Sequence, residues 1–565
     1  MGKYRPLPIG VDSFEKMRDG GYYYVDKTLL IKELLDKKGE VTLFTRPRRF
    51  GKTLNMTMLR DFFQVPADET AAEKQRTLFA DLKIMEAGEP YTSQMGQYPV
   101  IFLSLKSAKQ PNWKQAFHAL KEELAREYKR HMDRLKRLEL VQEDEKKLDR
   151  LLNQRGEQED LQTALQFLSQ CLEKVYGQKC IILVDEYDVP LENAYFAGFY
   201  QEMIDFVRSL FESAMKSNES LAFAVLTGCL RISRESIFTG LNNLKIVSVT
   251  STEFAEHFGF TPAEVETLLR YYGKEHHLET VQTWYDGYLF GNQEVYNPWS
   301  VLSYLSEVLA GDEALPRPYW ANTSSNSIVK TLVEKADMSA KAEMETLIAG
   351  GNIEKPIHED ITYADVETGQ DNLWNFLFFT GYLRKVSERL EGTEIRMELR
   401  IPNKEVQSIY SRTIVEWFGK KLAETDLSQL YEATLAGDAE TMEREISRVL
   451  LESVSYMDSQ EAFYHGFLSG LYKGMPGYLV KSNRESGGGR PDLVLEGPRY
   501  RDRAVILELK TAKRVQEMEE NSEEAVRQIR EKKYREGLHA QGYGDVIAYG
   551  ISFYRKDCVV TGYKG

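Results

Sequence analysis

Residues 41–53 read VTLFTRPRRFGKT. A short apolar run predicts a strand over 41–45, a basic turn follows, and a helical pattern runs from Lys52 through Phe63. Strand, turn and helix in that order are the context in which Gly-Lys-Thr becomes a phosphate-binding loop. Backbone N–H groups at the helix start cradle phosphate oxygens, and Gly51 permits close approach. Lys52 is then the contact to β- and γ-phosphates, and Thr53 offers a hydroxyl to Mg²⁺. The general pattern wants glycine six positions before the lysine, where this chain has Arg46. Gly-Lys-Thr alone arises often by chance, so the loop needs a second piece.

That piece is CIILVDE (180–186), an apolar strand ending in two acids. In a parallel sheet its carboxyl end lies beside the loop. Asp185 is then the Mg²⁺ holder, commonly through water, and Glu186 polarises the attacking water. Thr227 ends a further strand, LAFAVLTG (221–228), and is placed to sense the γ-phosphate or orient water. Arg231 and Arg234 follow it and are candidates for transition-state charge, in cis or across a subunit interface. Arg48 and Arg49, within the loop, face either phosphate or a neighbouring acid.

Around these motifs, PVIFLSL (99–105) and KIVSVTS (245–251) read as further buried strands separated by helical patterns, which predicts a parallel α/β sheet. Residues 113–175 form a highly charged helical stretch, read as solvated helices or an inserted helical hairpin. From 254 to 455 the pattern is mainly helical. The expected domains are therefore 1–253, 254–455 and 456–565.

The last region carries a second constellation. Arg490-Pro491-Asp492 opens one strand (PDLVLE, 491–496), and Glu508-Leu509-Lys510 closes the next (AVILELK, 504–510), with a turn suited to hairpin pairing. Glu508 and Lys510 share a strand face, and Asp492 converges from the neighbouring strand. Two carboxylates and a backbone carbonyl make an oxygen-rich Mg²⁺ site, and the lysine suits the water that attacks a phosphodiester. The strand is so apolar that a Glu and a Lys buried there need a partner or a metal. Glu461 is a candidate third carboxylate, and Gln528, on a helix expected over 521–537, a candidate for orienting substrate or water. Each is otherwise a helix-surface residue. His465 reads as a packed or capped histidine rather than a ligand.

Composition narrows the classes. The 565 residues carry a net charge of −14, which argues against coating nucleic acid along the whole length. The ends are the exceptions, with +6 over residues 1–60 and +3 over 461–565. No apolar run approaches the ~20 residues of a membrane span. MGKYRPLPIG has no secretory h-region, and Pro6 stands where a myristoylation signal wants Ser or Thr. Cys171, Cys180, Cys229 and Cys558 show neither metal spacing nor a disulfide framework. A cytoplasmic protein is expected.

With both constellations in view, the chain resembles the bacterial and archaeal AAA-ATPase-like family fused to a PD-(D/E)xK nuclease-superfamily domain. The resemblance rests on LPIGVDSFEKMRDGGYYYVDKT (7–28), RPRRFGKT (46–53), ILVDEYDVP (182–190) and LTGCLRISRESIFTGLNN (226–243). It continues through WYDGY (284–288), YNPWS (296–300), FLFFTGYL (376–383), YHGFLSGL (464–471) and ESGGGRPDLVL (485–495) to ILELK (506–510). That family's own loop is Arg-Pro-Arg-Arg-Phe-Gly-Lys, so Arg46 is no departure from it. The resemblance implies a P-loop NTPase domain, a helical lid region and a restriction-endonuclease-like α/β domain. It also implies ATP with Mg²⁺, and Mg²⁺ or Mn²⁺ at the nuclease site.

The expectation is an ATP-driven switch coupled to a metal-dependent nuclease acting on DNA or RNA, with homo-oligomers built through the ATPase body. A role in defence or mobile-element control fits the pairing. Two competing readings are an ATP-regulated nucleic-acid-binding module whose nuclease fold does not cut, and a signalling or scaffolding ATPase whose last domain binds protein.

Overall fold

Every residue of Val41–Thr45 (β1) is buried, as a strand covered on both faces requires. The computed structural model describes residues 4–216, 218–230, 237–238, 241–320, 338–359, 370–410, 425–453, 461–482 and 491–563. With Val100–Ser104 (β2), Cys180–Asp185 (β3), Leu221–Gly228 (β4) and Leu244–Val247 (β5), β1 builds a five-stranded sheet in the order β2-β3-β4-β1-β5. All four pairings are parallel. The register sets Thr45 opposite Gly228, Phe44 opposite Thr227 and Ser104 opposite Asp185, so these carboxyl ends emerge along one edge. Helix α1 (Lys52–Phe63) starts there, directly after the loop, and α2 (Val189–Ala197) starts just past β3. The last strand is shorter than the apolar run 245–251: beyond Val247 the hydroxyl of Ser248 turns to the Glu359 carboxylate at 2.9 Å.

The charged stretch 113–175 is not a free arm. Its first helix, Trp113–Arg130, buries Leu120, Leu124 and Tyr128, and its last, Ala164–Tyr176, buries Leu165, Leu168 and Leu172. The Tyr128 hydroxyl donates to Ala164 O at 2.7 Å and ties the two together, with three shorter helices between them.

Helices predominate after residue 254, with two small sheets among them. Tyr288–Phe290 (β6) and Gln293–Val295 (β7) form a ribbon. Ile353–Pro356 (β8), Arg384–Glu391 (β9) and Glu394–Arg400 (β10) form a sheet in the order β8-β10-β9. Most of β9 is exposed, so the inward/outward alternation that betrays a strand is missing from RKVSERLE.

The chain divides into two compact units, residues 1–326 with 354–407, and residues 327–353 with 408–565. The second contains a mixed sheet of Leu479–Ser482 (β11), Leu493–Glu496 (β12), Ala504–Thr511 (β13), Val546–Tyr554 (β14) and Asp557–Gly562 (β15), ordered as numbered. Only β13 and β14 run parallel. Helix α3 (Glu461–Lys473) shares a core with this sheet through Leu468 and Leu471, joined by Leu430, Met442 and Ile446 from the helices over 428–453. The single helix expected over 521–537 is two, α4 (Met518–Glu531) and α5 (Tyr534–Ala540), broken where Lys533 takes a left-handed φ of 54°. Helix α4 crosses β14 at Gly550, where a Cβ would lie 2.1 Å from Ser522 O and 2.9 Å from Ala525 Cβ. Only glycine allows that approach.

Candidate nucleotide and metal sites

The loop between β1 and α1 is fixed at both ends. Arg46 N donates to Gly228 O at 3.0 Å, continuing the parallel ladder by one residue. At the other end Gly51 caps α1 with φ 83°, a left-handed conformation that glycine takes without strain. Arg49 is left-handed as well, at φ 70°. The Arg46 side chain is wholly buried beneath the loop. Its Nη1 donates to Thr45 O at 3.0 Å and Val247 O at 2.9 Å, and the guanidinium lies 5.3 Å from the Phe258 ring centroid and 4.9 Å from that of Phe290. Among the described residues Nε and Nη2 have no hydrogen-bond partner, and burial pushes the group down to about 9. Where the general pattern uses glycine, this chain uses an internal anchor.

The remaining loop cations are engaged. Lys52 is buried, with Nζ donating to Arg46 O at 2.8 Å and Pro47 O at 2.9 Å, and resting 3.7 Å from Cys229 Sγ. Arg48 forms an ion pair with Glu192 on α2, so it meets an acid, one of its two expected alternatives. Arg49 stacks 4.3 Å from the Trp299 ring centroid.

Asp185 is nearly inaccessible and holds two hydroxyls, Thr53 Oγ1 at 2.8 Å and Thr227 Oγ1 at 2.6 Å. The three residues, read from separate segments of sequence, therefore meet. Glu186 follows in a left-handed conformation, φ 54°. Burial, then the neighbouring Asp185 charge, holds its carboxyl above the usual range, while Lys52 and Lys106 act against that rise. A carboxyl raised above the usual range suits a general base.

Asp188 was not anticipated from sequence. It is buried, its Oδ2 accepts Cys229 N at 2.7 Å and Leu230 N at 3.1 Å, and its Oδ1 has no hydrogen-bond partner among the described residues. Burial raises its carboxyl. It pins the exit of β4 to the start of α2. The cavity above these groups measures about 380 Å³, and its lining includes Gly51, Lys52, Thr53, Glu186, Lys106 and Lys109. Hydroxyl and carboxylate oxygens beside ammonium groups fit a magnesium-bound polyphosphate in donor type and charge. Arg231 and Arg234 lie outside the described residues.

In the second unit, Asp492 leads into β12, while Glu508 and Lys510 sit on β13, as the antiparallel pairing predicts. Asp492 Oδ2 accepts Leu509 N at 2.8 Å, and Asp492 N donates to Glu508 Oε2 at 3.3 Å. Glu508 is buried and also accepts the Gln528 side-chain amide from α4, so Gln528 does belong to this group. Burial holds the Asp492 carboxyl above the usual range. Lys510 Nζ stands 3.8 Å from Glu524. Two carboxylates steadied by backbone and amide N–H groups give hard oxygen donors of the kind Mg²⁺ or Mn²⁺ takes.

His465 reaches this site from α3, its Nε2 3.0 Å from Asp492 O, where sequence offered only a packed or capped histidine. Tyr534, at the start of α5, is buried with its hydroxyl raised first by burial and then by Glu508. The break between α4 and α5 brings it there, and no glycine or proline marks that break. The side chain of Glu461 and all of Arg490 lie outside the described residues. Elsewhere, His276, His277 and Asp312 cluster, but Asp312 already holds the Lys274 ammonium at 2.6 Å. Among the described residues no helix is long and apolar enough to cross a membrane.

Comparison with known proteins agrees with this geometry. Residues 8–238 match the family described as predicted AAA-ATPase, and residues 459–562 match the PD-(D/E)XK nuclease superfamily. An uncharacterized protein in the vnfD 5'region of Azotobacter chroococcum mcd 1 is 25% identical over 576 residues, spanning 99% of this chain and 98% of that protein. The chain thus carries a predicted AAA-ATPase domain over residues 8–238 and a PD-(D/E)XK nuclease-superfamily domain over residues 459–562.

Proposed function

We propose that the protein binds and hydrolyses ATP at the loop 46–53 and uses the bound state to control metal-dependent phosphodiester cleavage at Asp492, Glu508 and Lys510. The observation that carries the first half is the convergence of Thr53, Asp185 and Thr227 beside a cavity lined by Lys52 and Glu186. In this reading Thr53 and Asp185 hold Mg²⁺, which would neutralise phosphate charge. Lys52 leaves its two loop carbonyls for the β- and γ-phosphates, and Glu186 takes the proton of the attacking water. The second half rests on Asp492 and the buried Glu508 sharing one hydrogen-bond network with Gln528. Lys510 then stands beside the attacking water or the charge that develops on phosphate.

The domain division is read as 1–253 for the ATPase, 254–455 for the lid and connecting region, and 456–565 for the nuclease. The compartment is read as cytoplasmic, the polymer as DNA or RNA, and the biological setting as defence or mobile-element control. Arg231 and Arg234 are assigned to transition-state charge, from the same chain or a neighbouring copy, and Glu461 to the metal as a third carboxylate.

The test is purified full-length protein against a panel of DNA and RNA, with ATP and Mg²⁺ or Mn²⁺ varied. Cleavage that needs metal, is lost in Asp492→Ala, and depends on ATP through Lys52 is the expected result. Binding without cleavage under every condition replaces it with an ATP-regulated binding switch. Neither binding nor cleavage leaves a signalling or scaffolding ATPase.

A further inference from the structure

Six lysines and arginines line the cavity: Lys27, Arg48, Arg49, Lys52, Lys106 and Lys109. Four are engaged. Lys27 Nζ sits 2.6 Å from the Glu264 carboxylate, Arg48 pairs with Glu192, Arg49 stacks on Trp299, and Lys52 is held by loop carbonyls. Lys106 and Lys109 have no hydrogen bond or ion pair among the described residues. Ammonium groups that make no ion pair among the described residues, beside a cavity of this size, are a site for an anion.

Their placement is built into the fold. Ser104, the last residue of β2, stands opposite Asp185 in the register, and the chain then enters a 3₁₀ turn, Leu105–Ala108. With three residues per turn, positions three apart lie on one side. Leu105 and Ala108 are fully buried, so Lys106 and the following Lys109 face outward together. Adjacent strands lie ~4.8 Å apart, which sets the turn one strand from the two acids that end β3. The Asn193 side chain, on α2, donates to Gln110 O and holds the end of this segment against the helix that carries Glu192. Lys106 is also close enough to Glu186 to lower its carboxyl against the rise that burial causes.

We propose that Lys106 and Lys109 contact the terminal phosphate of a bound nucleoside triphosphate from within the same chain. This rests on the nucleotide reading above and adds to it a cis contact on the β2 side of the site, apart from Lys52 and from Arg231 and Arg234. The contact discriminates triphosphate from diphosphate, because only the terminal group extends toward β3 and its neighbour.

The experiment uses the full-length chain with Lys106→Ala, Lys109→Ala and the double substitution, and Lys106→Arg as the charge-conserving control. Binding of ADP and of a non-hydrolysable ATP analogue is measured by calorimetry, and kcat and KM for ATP by phosphate release. The double variant should keep ADP affinity. It should lose analogue affinity and kcat by roughly tenfold or more, the worth of one or two charge-assisted hydrogen bonds. Lys106→Arg should recover part of both, and specific activity should not depend on protein concentration. An unchanged ratio of analogue to ADP affinity in the double variant overturns the assignment. Wild-type protein that binds neither nucleotide removes the nucleotide reading itself, and a wild type that binds both with the ratio unmoved removes only the lysines.

Discussion

Gly550→Ala puts a methyl group where helix α4 touches strand β14. The added Cβ would stand 2.1 Å from Ser522 O, with Ala525 Cβ and Val526 Cγ2 each 2.9 Å away. The nearest atom is backbone, so no side-chain rotation relieves the clash. A tolerable carbon–oxygen contact requires α4 to move outward by about 1 Å. Gln528 lies six residues along the same helix, ~9 Å by helical rise, and travels with it. Its hydrogen bond to the buried Glu508 carboxylate is then lost. Overpacking costs ~1–3 kcal/mol and a lost hydrogen bond to a charged group ~1.5–3 kcal/mol, together about 3–6 kcal/mol. In a unit of this size that lowers the melting transition on the order of 10 °C. Losing a group that steadies a metal ligand weakens metal binding ~10–100-fold. Thermal unfolding and Mn²⁺ titration of the full-length variant measure both, and Gln528→Ala supplies the hydrogen-bond loss without the clash. A Gly550→Ala protein that melts with wild type and binds Mn²⁺ as tightly refutes the close-packing argument.

Glu186 sits above the usual carboxylate range, so its base form is lost on acidification sooner than that of an ordinary glutamate. The acid limb of kcat for ATP should therefore lie toward neutrality and vanish in Glu186→Gln, which should still bind ATP; a pH–rate profile with no such limb counts against Glu186 as the base. At the nuclease site, Asp492→Ala and Glu508→Ala should abolish Mn²⁺ binding and cleavage with ATP hydrolysis kept, whereas Lys510→Ala should keep the metal and lose rate. Arg46→Met should hold stability near wild type, since the buried charge it removes offsets the two hydrogen bonds it loses. Arg46→Ala should fall ~2–5 kcal/mol lower through the cavity it opens, as read from the first thermal transition.

Much of the site was legible because buried strands write continuous apolar runs. VTLFT, CIILVD and AVILEL each end or pass at a charged residue, and an acid there stands out against its neighbours. Thr53 at the start of α1 meets Asp185 and Thr227 as their positions at the ends of β3 and β4 imply, and Gln528 reaches Glu508 as its helix allows. What stayed hidden depends on distant partners. The role of Arg46 is set by Val247, Phe258 and Phe290, some two hundred residues on. His465 reads as packing until Asp492 is folded against it. Most of β9 is exposed and charged, so no period of two appears in it, although its partner β10 alternates with Met397 and Leu399 buried. The left-handed Lys533 that splits α4 from α5 carries no local sign.

The buried Arg46 has a thermodynamic consequence for how the loop answers its ligand. A phosphate loop that is loose when empty must be ordered on binding, at ~1–2 kcal/mol for each residue fixed. Here the guanidinium clamps the entrance, Gly51 and α1 set the exit, and Arg48, Arg49 and Lys52 already have partners. On the proposed nucleotide reading, an arriving phosphate would meet a loop that is already held. It exchanges one set of contacts for another, with Lys52 trading two carbonyl oxygens for phosphate oxygens. On the same reading, binding would then carry little of that ordering penalty. Any message that the nucleotide sends to the rest of the molecule must therefore leave through the groups that change partners, not through a loop that forms and melts.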